Sequence, residues 1–194
     1  MASANSVTVV GNCDHGGNAN GSNRRSVFVY GSLLADDVVR ALLRRIPQNS
    51  PATLHGYHRF SVKGLVYPAI LPVENKKITG RVLLGITAPE LDILDKFEDF
   101  EYERRLVDVS LMDSSDILQA YTYVWANSDD PDLYGEWDFE AWKESKMKDF
   151  VNMTMDFVNM TMGFVEEQEL PQSKPRVATY ESYYKQNDGN NISS

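Results

Sequence analysis

The chain has 194 residues, of which 42% are hydrophobic and 11% aromatic, enough for one domain with a sizeable core. Its formal net charge of -9 and pI near 4.8 argue against a nucleic-acid partner and against docking on an anionic membrane. No apolar run approaches the roughly 20 residues of a membrane span. The single cysteine, Cys13, excludes an intramolecular disulfide and fits a reducing compartment, so we expect a cytoplasmic protein.

Polar segments flank the expected folded region. Residues 1–24 are rich in Asn, Gly and Ser, which is typical of a disordered leader. Residues 169–194 form a polar tail. The composition therefore predicts one folded domain over residues 25–168.

The first predicted elements are a strand over residues 26–30, a glycine turn and a helix over residues 36–45. β-branched and aromatic residues form the strand, and Gly31 ends it. Asp36 is a suitable N-cap for the apolar-periodic residues that follow. A strand, a turn and a helix start present backbone N–H groups to a small anion. The same join also occurs as a plain structural turn, and the local sequence leaves both interpretations open.

Five strands and a short helix are predicted next, the strands at residues 52–60, 65–71, 77–86, 102–112 and 117–126 and the helix at residues 88–97. The helix has a clear start, because Thr87 and Glu90 have the spacing of a capping box. Ser114 and Ser115 predict a hairpin loop between the last two strands. Several strands with few intervening helices favour an α+β fold with a curled, mixed sheet.

A long helix is predicted over residues 138–167, and it contains a duplicated heptad. The sequence DFVNMTM occurs at residues 149–155 and again at 156–162. A shift of seven residues rotates a helix face by only about 20°, so equivalent side chains stay on one side. The phenylalanines of this face are Phe150, Phe157 and Phe164. Either the duplication lengthens a helix that packs on the core, or residues 146–167 protrude and contact a partner helix.

Several kinds of chemistry find little support. His55 and His58 are three apart in a predicted strand and face opposite sides, and no Cys/His set accompanies them, so we expect no metal site. Ser32 lacks the Gly-x-Ser-x-Gly context of a hydrolase. No P-loop or dinucleotide fingerprint is present. We therefore expect no cofactor. The tryptophans are interpreted as core residues, namely Trp125, Trp137 and Trp142.

An acidic cluster, residues 95–105, lies where the short helix ends and the next strand begins. Most of it has the composition of a solvated helix end, and Arg104 is the expected ion partner of its carboxylates. Glu98 differs because Phe97 and Phe100 flank it and favour partial burial. Burial and neighbouring carboxylates both favour the protonated form of a carboxyl, which suits a general acid or base. A charge-paired helix end remains the alternative.

Three segments together resemble the γ-glutamylcyclotransferase-like superfamily: residues 30–33 (YGSL), 94–98 (LDKFE) and 102–105 (YERR). Three others are similar to its plant avirulence-induced (AIG2-like) branch: residues 54–57 (LHGY), 123–125 (YVW) and 129–139 (DDPDLYGEWDF). The resemblance covers about residues 26–168. It implies a transferase of the acyltransferase type and hints at plant stress or defence responses.

The resemblance implies a small, distorted β-barrel with flanking helices, whose first loop lines a pocket for a γ-glutamyl substrate. It assigns Glu98 as the catalytic proton acceptor. It also assigns substrate-binding positions, which are Tyr30, Gly31, Ser32, Leu33, Leu34 and Ala35. Tyr67 and Pro68 either border this pocket or form a strand-edge turn. Many members have glycine directly after the glutamate, whereas this chain has Asp99, so the backbone or the titration of Glu98 would differ here.

The implied reaction is intramolecular aminolysis: the substrate's α-amine attacks its own γ-carbonyl, leaving 5-oxoproline and an amine or amino acid. It requires no metal or cofactor. Two other interpretations stay open. In the first, the protein is a degenerate family member that binds a γ-glutamyl-like ligand or a protein without turnover. In the second, it is an interaction protein that contacts its partner through the helix with the duplicated heptad.

Overall fold

The structure is a computed structural model that describes residues 24–162. The predicted leader up to residue 23, the predicted polar tail and residues 163–167 of the predicted long helix lie outside the described residues. Within residues 24–162, no helix is both long and apolar enough to cross a bilayer.

The sheet contains six strands, β1 (Arg25–Val29), β2 (Asn49–Val62), β3 (Ala69–Ile86), β4 (Tyr102–Leu111), β5 (Ile117–Trp125) and β6 (Leu133–Tyr134). Their order is β3-β1-β5-β4-β2-β6, and β2 also pairs with β3. This extra pairing closes five strands into a barrel. Among the described strands, only β1 and β5 pair in parallel. The short β6 pairs antiparallel with the last residues of β2. The structure confirms the predicted α+β class and the small barrel with a mixed sheet.

The described helices are α1 (Asp36–Leu43), α2 (Ala88–Glu98), α3 (Phe139–Ser145) and α4 (Met147–Met162), and two 3-10 turns lie at Ser32–Leu34 and Asp99–Glu101. The buried face of α1 consists of Val38, Val39, Leu42 and Leu43. These residues have the spacing expected of one helix face, so their burial follows from the sequence periodicity.

The predicted strands at residues 65–71 and 77–86 are in fact one long strand, β3. The strand continues through residues 73–76, where Asn75 has φ of +62°, because both flanks pair with β2, His55 with Lys77 and Tyr57 with Pro72. The extra residues bulge opposite Gly56, whose φ is +78°. Residues 65–68 form a turn instead of a strand.

The predicted long helix is interrupted. α3 ends and α4 begins around Lys146, whose φ and ψ of -127° and -21° are not helical. Across the break, Trp142 packs edge-on against Phe150 with ring centroids 5.4 Å apart. Residues 138–162 contain neither proline nor glycine, so local composition does not predict this interruption.

The duplicated heptad packs on the core in both described copies. Phe150 and Phe157 are buried, and their rings lie 6.2 and 5.7 Å from the ring of Phe97 on α2. The prediction that the two copies share one face is therefore confirmed, and Phe164 lies outside the described residues. A partner contact through residues 146–167 stays a prediction.

Two helix starts differ in how well the sequence predicted them. For α1, Ala35 rather than Asp36 occupies the N-cap, because the 3-10 turn before it moves the helix start by one residue, and Asp36 pairs with Arg81 instead. For α2, the capping box is confirmed. The Thr87 hydroxyl accepts from the Glu90 N–H, and the Glu90 carboxylate accepts from the Thr87 N–H at 2.9 Å.

Glu90 also anchors α2 to the end of α1. Arg45 Nη2 donates to Glu90 Oε2 at 2.8 Å, and Arg45 Nε donates to the other carboxylate oxygen. The hydrogen bond from Arg45 is the largest of the effects that lower the pKa of Glu90. The ionised carboxylate therefore contributes stability above the ordinary glutamate pKa of about 4.3 and loses it as the pH falls through the lower folded-state value.

We expect Glu90→Gln to lower the free energy of unfolding at pH 7 by about 1 kcal/mol, because it removes the carboxylate from the cap and the ion pair. The difference from wild type should shrink at pH 3, where the wild-type carboxyl is itself becoming protonated. Urea unfolding at both pH values measures this. Glu74→Gln, at an exposed position on β3, is the control and should change little. A difference that is equal at both pH values would contradict the assignment.

Candidate active site

The loop after β1 and the end of α2 meet at one cavity. Its empty volume is about 320 Å³, counted together with its opening to solvent. The residues that line it are Phe28, Val29, Tyr30, Gly31, Ser32, Leu33, Tyr67, Pro68, Glu98, Tyr102 and Tyr123. Two segments far apart in the sequence, residues 30–33 and Glu98, thus share one cavity.

Leu34 and Ala35 complete the set of predicted substrate positions, but they lie off this cavity. Leu34 lines a separate depression, and Ala35 is the buried N-cap of α1. A substrate-binding role stays a prediction for all six loop positions, and the structure brings four of them to the cavity.

The loop after β1 is shaped by a close approach to Pro68. A Cβ atom on Gly31 would lie 2.8 Å from Pro68 Cγ, so a larger residue would displace the turn that carries Tyr67 and Pro68. This turn directly precedes β3 and also borders the cavity, so both interpretations that the sequence offered for Tyr67 and Pro68 apply.

The loop also directs backbone donors toward its own turn and toward the cavity. Leu34 N–H donates to the Gly31 carbonyl at 2.9 Å, and Ala35 N–H donates to the Ser32 carbonyl at 3.1 Å. The N–H groups of Gly31, Ser32 and Leu33 lie at the start of the 3-10 turn, where the turn itself supplies no backbone acceptor for them. These three residues line the cavity, so donors for an anion are available there.

Glu98 is the last residue of α2 and is 8% exposed, so it is more deeply buried than the sequence predicts. Phe97 before it packs against the buried phenylalanines of α4. A carboxylate at the C-terminal end of a helix faces the negative end of the helix dipole.

One turn before Glu98, Asp95 ties α2 to the barrel. It accepts from the Tyr123 hydroxyl at 2.8 Å and pairs with Arg104. Burial raises the pKa of Tyr123 far above its ordinary value, and the hydrogen bond to Asp95 and the charges of Asp95 and Glu98 raise it further. Tyr123 therefore stays a neutral donor, and the expected pairing of Arg104 with a nearby carboxylate is confirmed.

The four tyrosines of the cavity all have protein acceptors for their hydroxyls. Tyr30 donates to the Tyr123 carbonyl, and Tyr102 donates to the Pro68 carbonyl at 2.7 Å. Tyr67 donates to both oxygens of Glu101, at 3.0 and 3.2 Å. Sequence reasoning missed Tyr102 and Tyr123 as cavity residues, because alternation in a strand marks them only as core.

The described part of the chain offers no metal centre: no group of three or more His, Cys, Asp or Glu side chains within residues 24–162 is placed to hold an ion. His58, one of the two neighbouring histidines, shares a hydrogen bond of 2.8 Å with the Gly135 carbonyl instead.

Comparison with known proteins identifies the family. The profile of the family described as "Gamma-glutamyl cyclotransferase, AIG2-like" matches residues 27–141. The chain belongs to this family. It is 65% identical over 130 residues to AIG2-like protein D of Arabidopsis thaliana, covering 66% of this chain and 86% of that protein. It is 50% identical over 160 residues to AIG2-like protein C of the same plant, covering 82% and 89%.

Solved structures agree with this assignment. Two Arabidopsis thaliana proteins determined in solution superpose with TM-scores of 0.57 at 40% and 37% identity, covering 77% and 81% of this chain and 98% and 99% of theirs. A γ-glutamyl cyclotransferase that is 13% identical, with a TM-score of 0.50 and coverage of 84% and 99%, shares the fold.

Asp99 follows Glu98 directly, at a position where the family resemblance leads us to expect glycine. Asp99 has φ of +57° and ψ of -159°, a backbone conformation that suits glycine far better than other residues. Its side chain compensates in part by accepting from the Phe100 N–H at 2.9 Å. The backbone therefore takes a glycine-type conformation without a glycine, and strain of about 1–3 kcal/mol is held beside Glu98.

We expect Asp99→Gly to be more stable than Asp99→Ala by about 1–2 kcal/mol, because both variants lose the acceptor for Phe100 but only alanine retains the backbone strain. The paired control is Lys96→Gly against Lys96→Ala, at an exposed position inside α2, where alanine should be the more stable by about 1 kcal/mol. Urea unfolding of the four variants measures both differences. If alanine were more stable than glycine at both positions, the backbone of Asp99 would not be strained.

Proposed function

We propose that the protein is a γ-glutamylcyclotransferase, which converts a γ-glutamyl substrate into 5-oxoproline and an amine or amino acid. One observation carries the proposal. In a chain of this family, the buried carboxylate of Glu98 lines the same cavity as the backbone donors of residues 30–33.

The substrate supplies its own nucleophile. Its α-ammonium must lose a proton before the nitrogen attacks the γ-carbonyl, and Glu98 accepts that proton. A new carbon–nitrogen bond then closes the five-membered ring, and the bond to the leaving nitrogen breaks. Glu98 returns the proton to the leaving nitrogen, so atoms and charge balance without a cofactor.

The loop after β1 binds the negative charge in this proposal. The N–H groups of Gly31, Ser32 and Leu33 hold the substrate's α-carboxylate or the oxyanion that develops on the γ-carbonyl. Holding the amine against its own carbonyl supplies much of the rate, because the reaction is intramolecular. A cytoplasmic location and a role in plant stress or defence stay predictions.

We expect wild-type protein to release 5-oxoproline from at least one member of a panel containing γ-glutamyl amino acids, γ-glutamyl-ε-lysine and glutathione. Glu98→Gln should lower kcat by about 10²–10⁴-fold, because the amide is isosteric but cannot accept the proton. Glu103→Gln, at an exposed glutamate paired with Arg105, is the matched control and should keep wild-type activity.

The outcomes separate two functions. Equal turnover by wild type and Glu98→Gln would remove Glu98 from the chemistry. Binding of a panel member to folded wild-type protein without any release would favour a non-catalytic γ-glutamyl-binding protein on the same fold.

A further inference from the structure

Two arginines outside the cavity hold the loop after β1. Arg59 of β2 and Arg81 of β3 line a separate depression beside Leu34. Arg59 Nη1 donates to the Tyr30 carbonyl at 2.7 Å, and Arg81 Nη2 donates to the Leu33 carbonyl at 2.9 Å. The two side chains therefore fix both ends of the loop by hydrogen bonds to its backbone carbonyls.

These contacts set the direction of the loop's N–H groups. In a planar trans peptide, the C=O and the following N–H point in opposite directions. Because Arg59 holds the Tyr30 carbonyl on the side of the depression, the Gly31 N–H points away from Arg59. In the same way, Arg81 donates to the Leu33 carbonyl. The N–H of the same peptide group, that of Leu34, points the other way and donates to the Gly31 carbonyl, which closes the 3-10 turn.

Arg59 is an unusual residue for a purely structural contact. It has no carboxylate within ion-pair distance in residues 24–162, and its Nε is buried without a hydrogen-bond partner. Burial lowers its pKa, and the more distant charges of Glu136 and Asp138 oppose this effect. An arginine nevertheless stays charged near neutral pH. The ring of Trp137 lies 5.7 Å from its guanidinium and keeps it in place.

A half-buried cation without a direct counter-ion costs free energy that an apolar side chain would not. The position of Arg59 suggests a function for this unpaired charge. The charge lies behind the loop whose N–H groups bind the substrate's negative charge in the proposed function, and partial burial screens it less than a fully exposed charge.

We propose that Arg59 is a positioning residue, which orients the Gly31 N–H into the cavity and places a positive charge behind the group that binds the substrate's anionic end. Arg81 supports it by fixing the other end of the loop. The inference rests on the proposed function, and it assigns to Arg59 an effect on anion binding that a residue serving stability alone would not have.

The test compares Arg59→Met, which removes the charge and the donor, with Arg59→Lys, which keeps the charge but not the planar guanidinium. Arg45→Met is the control, because Arg45 pairs with Glu90 away from the loop. Each protein is first checked for cooperative unfolding, and measurements are made well below its transition. If Arg59→Met does not fold, the comparison uses Arg59→Lys.

The first readout does not need turnover. 5-oxoproline carries a carboxylate and is titrated into ¹⁵N-labelled protein. We expect the backbone amides of Gly31, Ser32 and Leu33 to shift in wild type and in Arg45→Met. Arg59→Met should bind at least 10-fold more weakly or show no shift at these amides, and Arg59→Lys should recover part of the affinity.

The second readout is kinetic. Removal of one donor from an oxyanion site costs about 10²–10³-fold in kcat, and we expect about 10–100-fold for Arg59→Met because it misaligns the donor rather than deleting it. A loss mainly in kcat would assign the donor to the oxyanion, and a rise mainly in KM would assign it to the α-carboxylate. Both results support the proposal.

The two readouts distinguish failure of this inference from failure of the proposed function. Suppose that wild-type protein turns over no substrate, but that 5-oxoproline shifts its loop amides and does not shift those of Arg59→Met. This result would reject the cyclotransferase activity and support the positioning role of Arg59. Active wild type with Arg59→Met equal to Arg45→Met in both readouts would reject the positioning role. Absence of loop shifts in wild type would reject it as well.

Discussion

The pairing of β2 with β3 is the contact on which the rest of the structure depends, because it closes the sheet into a barrel. The closed barrel brings the turn between these two strands beside Gly31, where Pro68 leaves no room for a side chain. It also brings Arg59 and Arg81, one from each strand, to the carbonyls of the same loop. A single strand pairing therefore shapes the loop after β1 on both sides.

The loop separates groups of opposite charge. The cavity side carries Glu98, held near the barrel by the contacts of Asp95 with Tyr123 and Arg104, and the other side carries the half-buried Arg59. Between them lies the loop of residues 30–33, which lines the cavity. Such an arrangement suits a substrate that has both an ammonium and a carboxylate, since each end of it meets the group it needs.

The duplicated heptad supports the end of α2 that carries Glu98. Phe150 and Phe157 pack on Phe97, which directly precedes Glu98, so α4 supports the turn of α2 from which the carboxylate projects. The strained backbone of Asp99 follows on the other side of Glu98. The position of the carboxylate is thus determined by packing before it and by an unusual backbone after it.

The sequence by itself determined the elements whose signals are local: the first strand and its glycine turn, the capping box of α2, the shared face of the heptads and, through short motifs, the family. It also pointed to Glu98 and residues 30–33. Only the tertiary structure decided that β3 is continuous, that the last helix breaks at Lys146 and that Ala35 caps α1. It alone brought together the residues that no motif joins, namely Tyr67, Tyr102, Tyr123, Arg59 and Arg81. The physical reason is that periodicity and capping depend on neighbours within one or two turns, whereas these contacts depend on strand register and barrel closure, which join residues far apart in the chain.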